Sequence, residues 1–177
     1  MISFYDPRDP WGFFSNFSRH QVTIYGRTWR TSEHAFQAMK FHPHRPDLVA
    51  HVWEQTSPGL AARVGRDTSL PLRADWNAAP DPVTWESFKH IPQPDDMINR
   101  QGVTAEPLFA RVKDVIMFEV VKAKFEQHTD LGKALLGTGT QVIVEAAMPD
   151  PYWGWGASKV GENKLGRILM AVRHTLR

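Results

Sequence analysis

The chain contains no cysteine. That removes a disulfide frame, a thiolate nucleophile and every Cys-based zinc site at once. It has no run of about 18 apolar residues, so no segment qualifies as a membrane-spanning helix. Its opening, "MISFYDPRDPWG", lacks the basic-then-apolar order of a secretory signal, and a cytoplasmic protein is expected. No internal repeat or low-complexity tract is evident. No dense Lys/Arg block occurs, and the formal charge of +2 tolerates a phosphorylated or nucleic-acid ligand without demanding one. Catalytic signatures are missing as well. The eight histidines form no HExxH, and "HPHRP" reads as a loop, so no metal site is expected. There is no GxSxG elbow, no Walker A spacing and no recognition helix for duplex DNA.

What remains is a chain of 177 residues, a size that one hydrophobic core reaches comfortably. A single domain is expected. Hydrophobic residues at 42% and charged residues at 23% place it among ordinary globular proteins. Seven tryptophans are the unusual feature, and several of them sit beside Gly, Pro or Asp outside any apolar run. Each such ring either stacks a planar ligand or plugs a loop-rich core.

Periodicity divides the chain. "ISFY" and "HQVTIYGRTWR" alternate as short strands do. At "TSEHAFQAMKFH" the period becomes helical, with Thr31 or Ser32 as cap and Glu33 in the first turn. "RPDLVAHVWEQ" and "SPGLAARVGR" each begin a helix with proline, the first with Leu48, Val49, Val52 and Trp53 on its apolar face. Residues 77–104 hold four prolines and no sustained period, which reads as a long loop or insertion. A long helix is expected from about Ala105 to His128, then a short one near Leu131–Leu136 and a strand at "TGTQVIVEAA". Leu165, Ile168, Leu169, Val172 and Leu176 mark a final amphipathic helix. The fold class is therefore α+β: mostly helical, with a small sheet.

Three clusters can carry chemistry. At about 100° per residue, Glu33, Gln37 and Lys40 share one side of their helix. That is either a solvated salt-bridge stripe or the polar wall of a cleft, and spacing does not choose. Arg73, Asp75 and Trp76 in "RADWN" either clamp a phosphate beside a stacked base or amount to a helix-capping Asp beside a packed Trp. The third cluster is "DPYWGWGASKVGENKLG", where Asp150 follows a strand and Gly154 and Gly156 permit tight turning beside Trp153 and Trp155. The last helix's free N–H groups, with Ser158 and Lys159 nearby, make a plausible phosphate seat. Glu145 occupies the less apolar face of its strand, either at a rim or inside a site.

Taken in order, "FSNFS", "SEHAFQAMKF", "RADW", "KAKFEQH", "LLGTGTQVIVEA", "DPYWGWG" and "GENKLGRILMAVR" resemble the YbiA-like, or NADAR, family over nearly the whole chain. The resemblance implies a compact, mostly helical α+β fold that hydrolyses N-glycosidic bonds without cofactor or metal. It implies a ribosyl substrate: phosphoribosylated aminopyrimidines of early riboflavin biosynthesis, or ADP-ribosylated guanine in nucleic acid. A non-catalytic ADP-ribose-binding module is the further alternative. It carries catalytic roles onto Glu33, Asp150 and Lys40, Lys40 as an amine nucleophile toward C1′. The expected binding residues are Trp76, Trp153, Asn16, Gln37, Arg73, Gly154, Lys159 and Asn163, with phosphates near Arg73, Lys159 or the last helix's N-terminus. Against the family pattern, the stretch after Trp76 is some thirty residues longer than expected, which suggests a flap near the site.

Overall fold

A computed structural model describes residues 1–94 and 104–177. Each helix start shows its cause in the sequence. Thr31 caps α1 (Ser32–Met39), its side chain accepting the His34 N–H. Pro46 opens α2 (Pro46–Glu54), and Ser57 caps α3 (Pro58–Gly65) by accepting the Leu60 N–H. On α2 only Leu48 and Val52 are buried; Val49 is half-buried and Trp53 exposed, its indole N–H donating to the Thr28 carbonyl.

The proline-rich stretch is not loop throughout. Asp81 accepts the N–H groups of Val83 and Thr84 and starts α4 (Pro82–Phe88). That Asp-Pro start is a helix signal too short to register as a period. The rest of the expected 77–104 insertion falls partly on residues 95–103, which lie outside those described.

The long helix α5 (Val112–Gln127) begins seven residues later than expected. Pro107 resembles a first-turn proline, but the carbonyls around it are bound elsewhere. Arg167 donates to the Glu106 carbonyl and Lys164 to those of Pro107 and Leu108, so this segment is held as loop and turn. The helices α6 (Thr129–Gly137) and α7 (Lys164–Thr175) follow, and Leu165, Ile168, Leu169 and Val172 are buried as the period requires.

Two small sheets complete the α+β architecture. Strand β1 (Ile2–Phe4) pairs in parallel with β4 (Ile143–Glu145), with Phe4 opposite Glu145. The expected ten-residue strand shrinks to these three residues. "HQVTIYGRTWR" is a hairpin, not one strand: β2 (Val22–Ile24) and β3 (Arg27–Trp29) pair antiparallel. Tyr25 at φ 54° and Gly26 at φ 72° form the tight turn between them, both in the left-handed region a two-residue hairpin loop requires.

Helix α1 is the central element. It packs on α2, α3 and α5, and all eight of its residues are buried. Helix α7 packs on α5 and β4. Among the described residues no helix is long and apolar enough to cross a membrane.

Candidate active site

Burial of α1 settles the question its spacing left open. Glu33 and Gln37 are 5% and 4% exposed, so their stripe is not a solvated surface. It forms one wall of a cavity of about 220 Å³, lined also by Asn16, Lys40, Arg66, Trp76, Lys113, Glu145, Asp150 and Trp153. Segments far apart in sequence meet here, and each is fixed by identifiable bonds.

The loop after the Gly12–Phe14 turn brings Ser15, Asn16 and Phe17 to the cavity. Its post is Lys124 of α5, fully buried, whose Nζ donates to the carbonyls of Phe13 and Ser15 and to Ser18 Oγ. Burial without a counter-ion pushes the Lys124 ammonium down to about 7. The same loop meets α1 directly, because the Glu33 N–H donates to the Asn16 carbonyl at 3.1 Å.

Trp76 is pinned from both sides. The Arg73 N–H donates to the Lys40 carbonyl at 2.7 Å, and the first free N–H groups of α5, from Val112 and Lys113, go to the carbonyls of Ala78 and Trp76. Phe36 stands between the two cavity tryptophans, 5.2 Å from Trp76 and 5.3 Å from Trp153 by ring centroids. Trp155 does not line the cavity.

Asp150 turns the chain after β4. Its Oδ1 accepts the N–H groups of Tyr152 and Trp153, each at 2.9 Å, which sets Trp153 beside the acid. The carbonyls of Tyr152 and Trp153 in turn accept the N–H groups of Lys164 and Leu165. Those are the first residues of α7, so the helix start expected to seat a phosphate is already bonded to its own loop.

The expected site residues thus divide. Glu33, Gln37, Lys40, Asn16, Trp76, Asp150 and Trp153 line one cavity; Arg73, Gly154, Lys159 and Asn163 do not. Arg73 is bound bidentately to Asp75 on the outside. Lys159 is exposed, with its ammonium over the Trp155 ring. Gly154 lies so close to β4 that a Cβ would stand 2.8 Å from the Glu145 carbonyl oxygen. Asn163 is fully buried behind β4, accepting the Glu145 N–H and donating to the Ile143 carbonyl. Its work is to hold the strand.

Three charged cavity residues were absent from the expected set: Glu145, Arg66 and Lys113. The strand's alternation had put Glu145 at a rim or in a site, and the structure places it in the cavity. Arg66 follows α3 and Lys113 opens α5, positions with no sequence signal beyond charge.

The electrostatics follow from burial. Desolvation raises Glu33 above the usual carboxylate range, against the Gln37 amide and the charges of Arg66 and Lys40. Desolvation, with the charges of Asp150 and Glu33, pushes Glu145 up to about 8. Desolvation also brings Lys40 down to about 8, partly opposed by Glu33. Lys40 Nζ donates to the Gly65 carbonyl at 2.7 Å and lies 5.9 Å from the Trp76 ring centroid. Gly65 must be glycine for this, since a Cβ would collide with the Gln37 side chain. Gln37 Nε2 donates to Glu33 Oε1 at 2.7 Å. Asn16 Oδ1, Gln37 Oε1 and Glu145 Oε2 are buried oxygens with no hydrogen-bond partner.

An α+β domain thus gathers acids, a desolvated amine and two indoles around one cavity. The chain belongs to the NADAR domain family, whose model matches residues 3–177. It is 35% identical over 176 residues to N-glycosidase YbiA of Escherichia coli (strain K12), covering 99% of this chain and 88% of that protein. It is 32% identical over 186 residues to the chloroplastic riboflavin biosynthesis protein PYRR of Zea mays, covering 98% of this chain but 25% of that protein. The NMR structure of the E. coli protein YbiA superposes with a TM-score of 0.71 at 36% identity, covering 99% of this chain and 83% of that one.

Proposed function

We propose that this chain is an N-glycosidase that hydrolyses the C1′–N bond of a ribosylated amine or base among the early intermediates of riboflavin biosynthesis. The observation that carries the reading is the cavity's set of unpaired polar atoms, Asn16 Oδ1, Gln37 Oε1 and Glu145 Oε2, around the space that Glu33 and Asp150 also line. Buried unpaired polar atoms call for partners, and the vicinal hydroxyls of a ribose, which both donate and accept, supply them. The names of the relatives from E. coli and maize point to the same bond and pathway.

Cleaving this bond builds positive charge on the sugar ring and negative charge on the departing nitrogen. Asp150, placed by its two N–H bonds, faces the developing oxocarbenium charge. Glu145 carries the proton for the nitrogen, since a carboxyl pushed up to about 8 is still protonated at neutral pH. Glu33, fixed by Gln37, binds sugar hydroxyls beside C1′. Trp76 and Trp153 flank the planar leaving group. Water then adds to C1′ and gives its proton back to the Glu145 carboxylate, so the products are free ribosyl sugar and free amine.

Lys40 offers a second route to the same products. Its lowered pKa is what an amine nucleophile toward C1′ requires, with a Schiff base to the opened ribose that water later releases. A small-molecule substrate and a cytoplasmic setting go with either route. The test is product analysis after incubating wild type with a ribosylated aminopyrimidine and, separately, with ADP-ribosylated guanine in single-stranded DNA. Release of the pyrimidine supports the proposal. Release only of ADP-ribose moves the assignment to the nucleic-acid reading, and release of neither moves it to a binding module.

A further inference from the structure

The cavity is electrically divided. At one end Glu145 is acted on by Asp150 and Glu33. At the other, Lys40 is acted on by Glu33, which also acts on Glu145 and here raises the pKa, and by Arg66 and Lys113, each of which drives it down. The charges acting on Lys113 are Arg111, Asp114, Glu106 and Lys164, with no cavity acid among them. Among the described residues neither Arg66 nor Lys113 makes a salt bridge. Lys113 is half-buried, with Nζ 3.9 Å from the Tyr152 ring centroid, and the Tyr152 hydroxyl is already committed to Asp114 at 2.6 Å. Arg66 is exposed at the end of α3, the helix whose last carbonyl holds Lys40.

Three cations lining one cavity repel one another, Glu33 offsetting part of this for Lys40 and Arg66, and the half-buried Lys113 also bears a desolvation cost. An anion among them relieves both effects. A guanidinium fork and an ammonium on opposite elements match a tetrahedral dianion better than a planar carboxylate. We propose that Arg66 and Lys113 form a phosphate clamp at the cavity mouth, holding a phosphoryl group of the substrate at the end away from Glu145 and Asp150. This rests on the ribosyl reading above: the sugar spans the middle, its leaving nitrogen at the acid end and its phosphate at the basic end. Neither Arg73, Lys159 nor the α7 start can serve, for the reasons already given.

The phosphoryl group comes either from a monoester on the ribose or from the diphosphate of a nucleotide sugar. Isothermal titration of the full chain with ribose, ribose 5-phosphate and ADP-ribose separates them, using wild type, Arg66→Ala and Lys113→Gln. Wild type is expected to bind ribose 5-phosphate at least about tenfold tighter than ribose, and each variant to lose about tenfold while its affinity for ribose is unchanged. Lys113→Arg should restore most of that loss. If ADP-ribose alone gains over ribose and loses it in both variants, the clamp stands and its ligand is a diphosphate. The proposal is overturned if ribose and both phosphorylated ligands bind alike, if none binds, or if both variants bind as wild type does. Binding requires no turnover, so a wild type that releases no base but binds through Arg66 and Lys113 defeats the glycosidase reading and leaves the clamp intact.

Discussion

The Glu145 N–H donates to Oδ1 of Asn163 at 2.9 Å, and Nδ2 of Asn163 returns a bond of 2.9 Å to the Ile143 carbonyl. Asn163 therefore occupies the edge of β4 as a neighbouring strand would, and it fixes the backbone from which Glu145 enters the cavity. Asn163→Ala removes both bonds and strands two buried polar groups, for a loss of about 2 to 3 kcal/mol. Denaturant unfolding should show that loss. If Asn163 positions Glu145, kcat should fall in the variant with KM much less affected, measured at a temperature where it is folded.

Glu145 makes stability depend on pH in a definite direction. Its carboxyl is raised from 4.5 to about 8 in the folded protein, so between those values the folded state holds a proton the unfolded chain has released. The stability associated with that proton is fully present below pH 4.5 and is lost as pH rises toward 8. Glu145→Gln should flatten this segment when unfolding free energy is measured from pH 5 to 8. Turnover by Glu145→Gln should fall about 10²- to 10⁴-fold, the range for losing a proton donor. An unchanged rate would remove Glu145 from the mechanism.

The two routes divide at Lys40. With its amine at about 8, an appreciable fraction is neutral near pH 7.5, enough to attack C1′. Borohydride added during turnover should then reduce the imine and leave a mass increment on the peptide containing Lys40, absent in Lys40→Met. If no adduct forms and Lys40→Met keeps most of its kcat, the direct oxocarbenium route is the operating one.

Lys124 tests how the first loop is held. Its three bonds reach Phe13, Ser15 and Ser18 on either side of Asn16, and a neutral isostere such as Lys124→Met leaves those acceptors buried and unpaired. The expected result is a raised KM through a displaced Asn16. The base is lowered from 10.5 to about 7, so the unfolded chain holds the extra proton between those values, and this group makes stability rise with pH there. Lys124→Met should lose that rise in a melting series from pH 7 to 10.

Much of the fold was legible in the sequence because caps and apolar periods are local. Thr31, the prolines that open α2 and α3, and the α7 stripe did in the structure what their spacing announced. The misses share one cause. The α5 start and the α7 N-terminus were decided by distant partners, Lys164 and Arg167 in one case and the Tyr152 and Trp153 carbonyls in the other. The site followed the same rule. Glu33, Gln37 and Lys40 were legible as a set because one helix carries them, although only burial distinguished a cavity wall from a wet stripe. Arg66 and Lys113 were illegible, since nothing near either in sequence says that α3 and α5 end and begin at the same opening.

The central claim is that this cavity's carboxylates cleave a ribosyl C1′–N bond, and Asp150 tests it most directly. The measurement is the initial rate of base release from a ribosylated aminopyrimidine by wild type and by Asp150→Ala, with melting curves showing both folded. The account predicts release by wild type and a loss of about 10²-fold or more in the variant, the scale of removing one preorganised charge-stabilising group. Equal rates in the two proteins would contradict it.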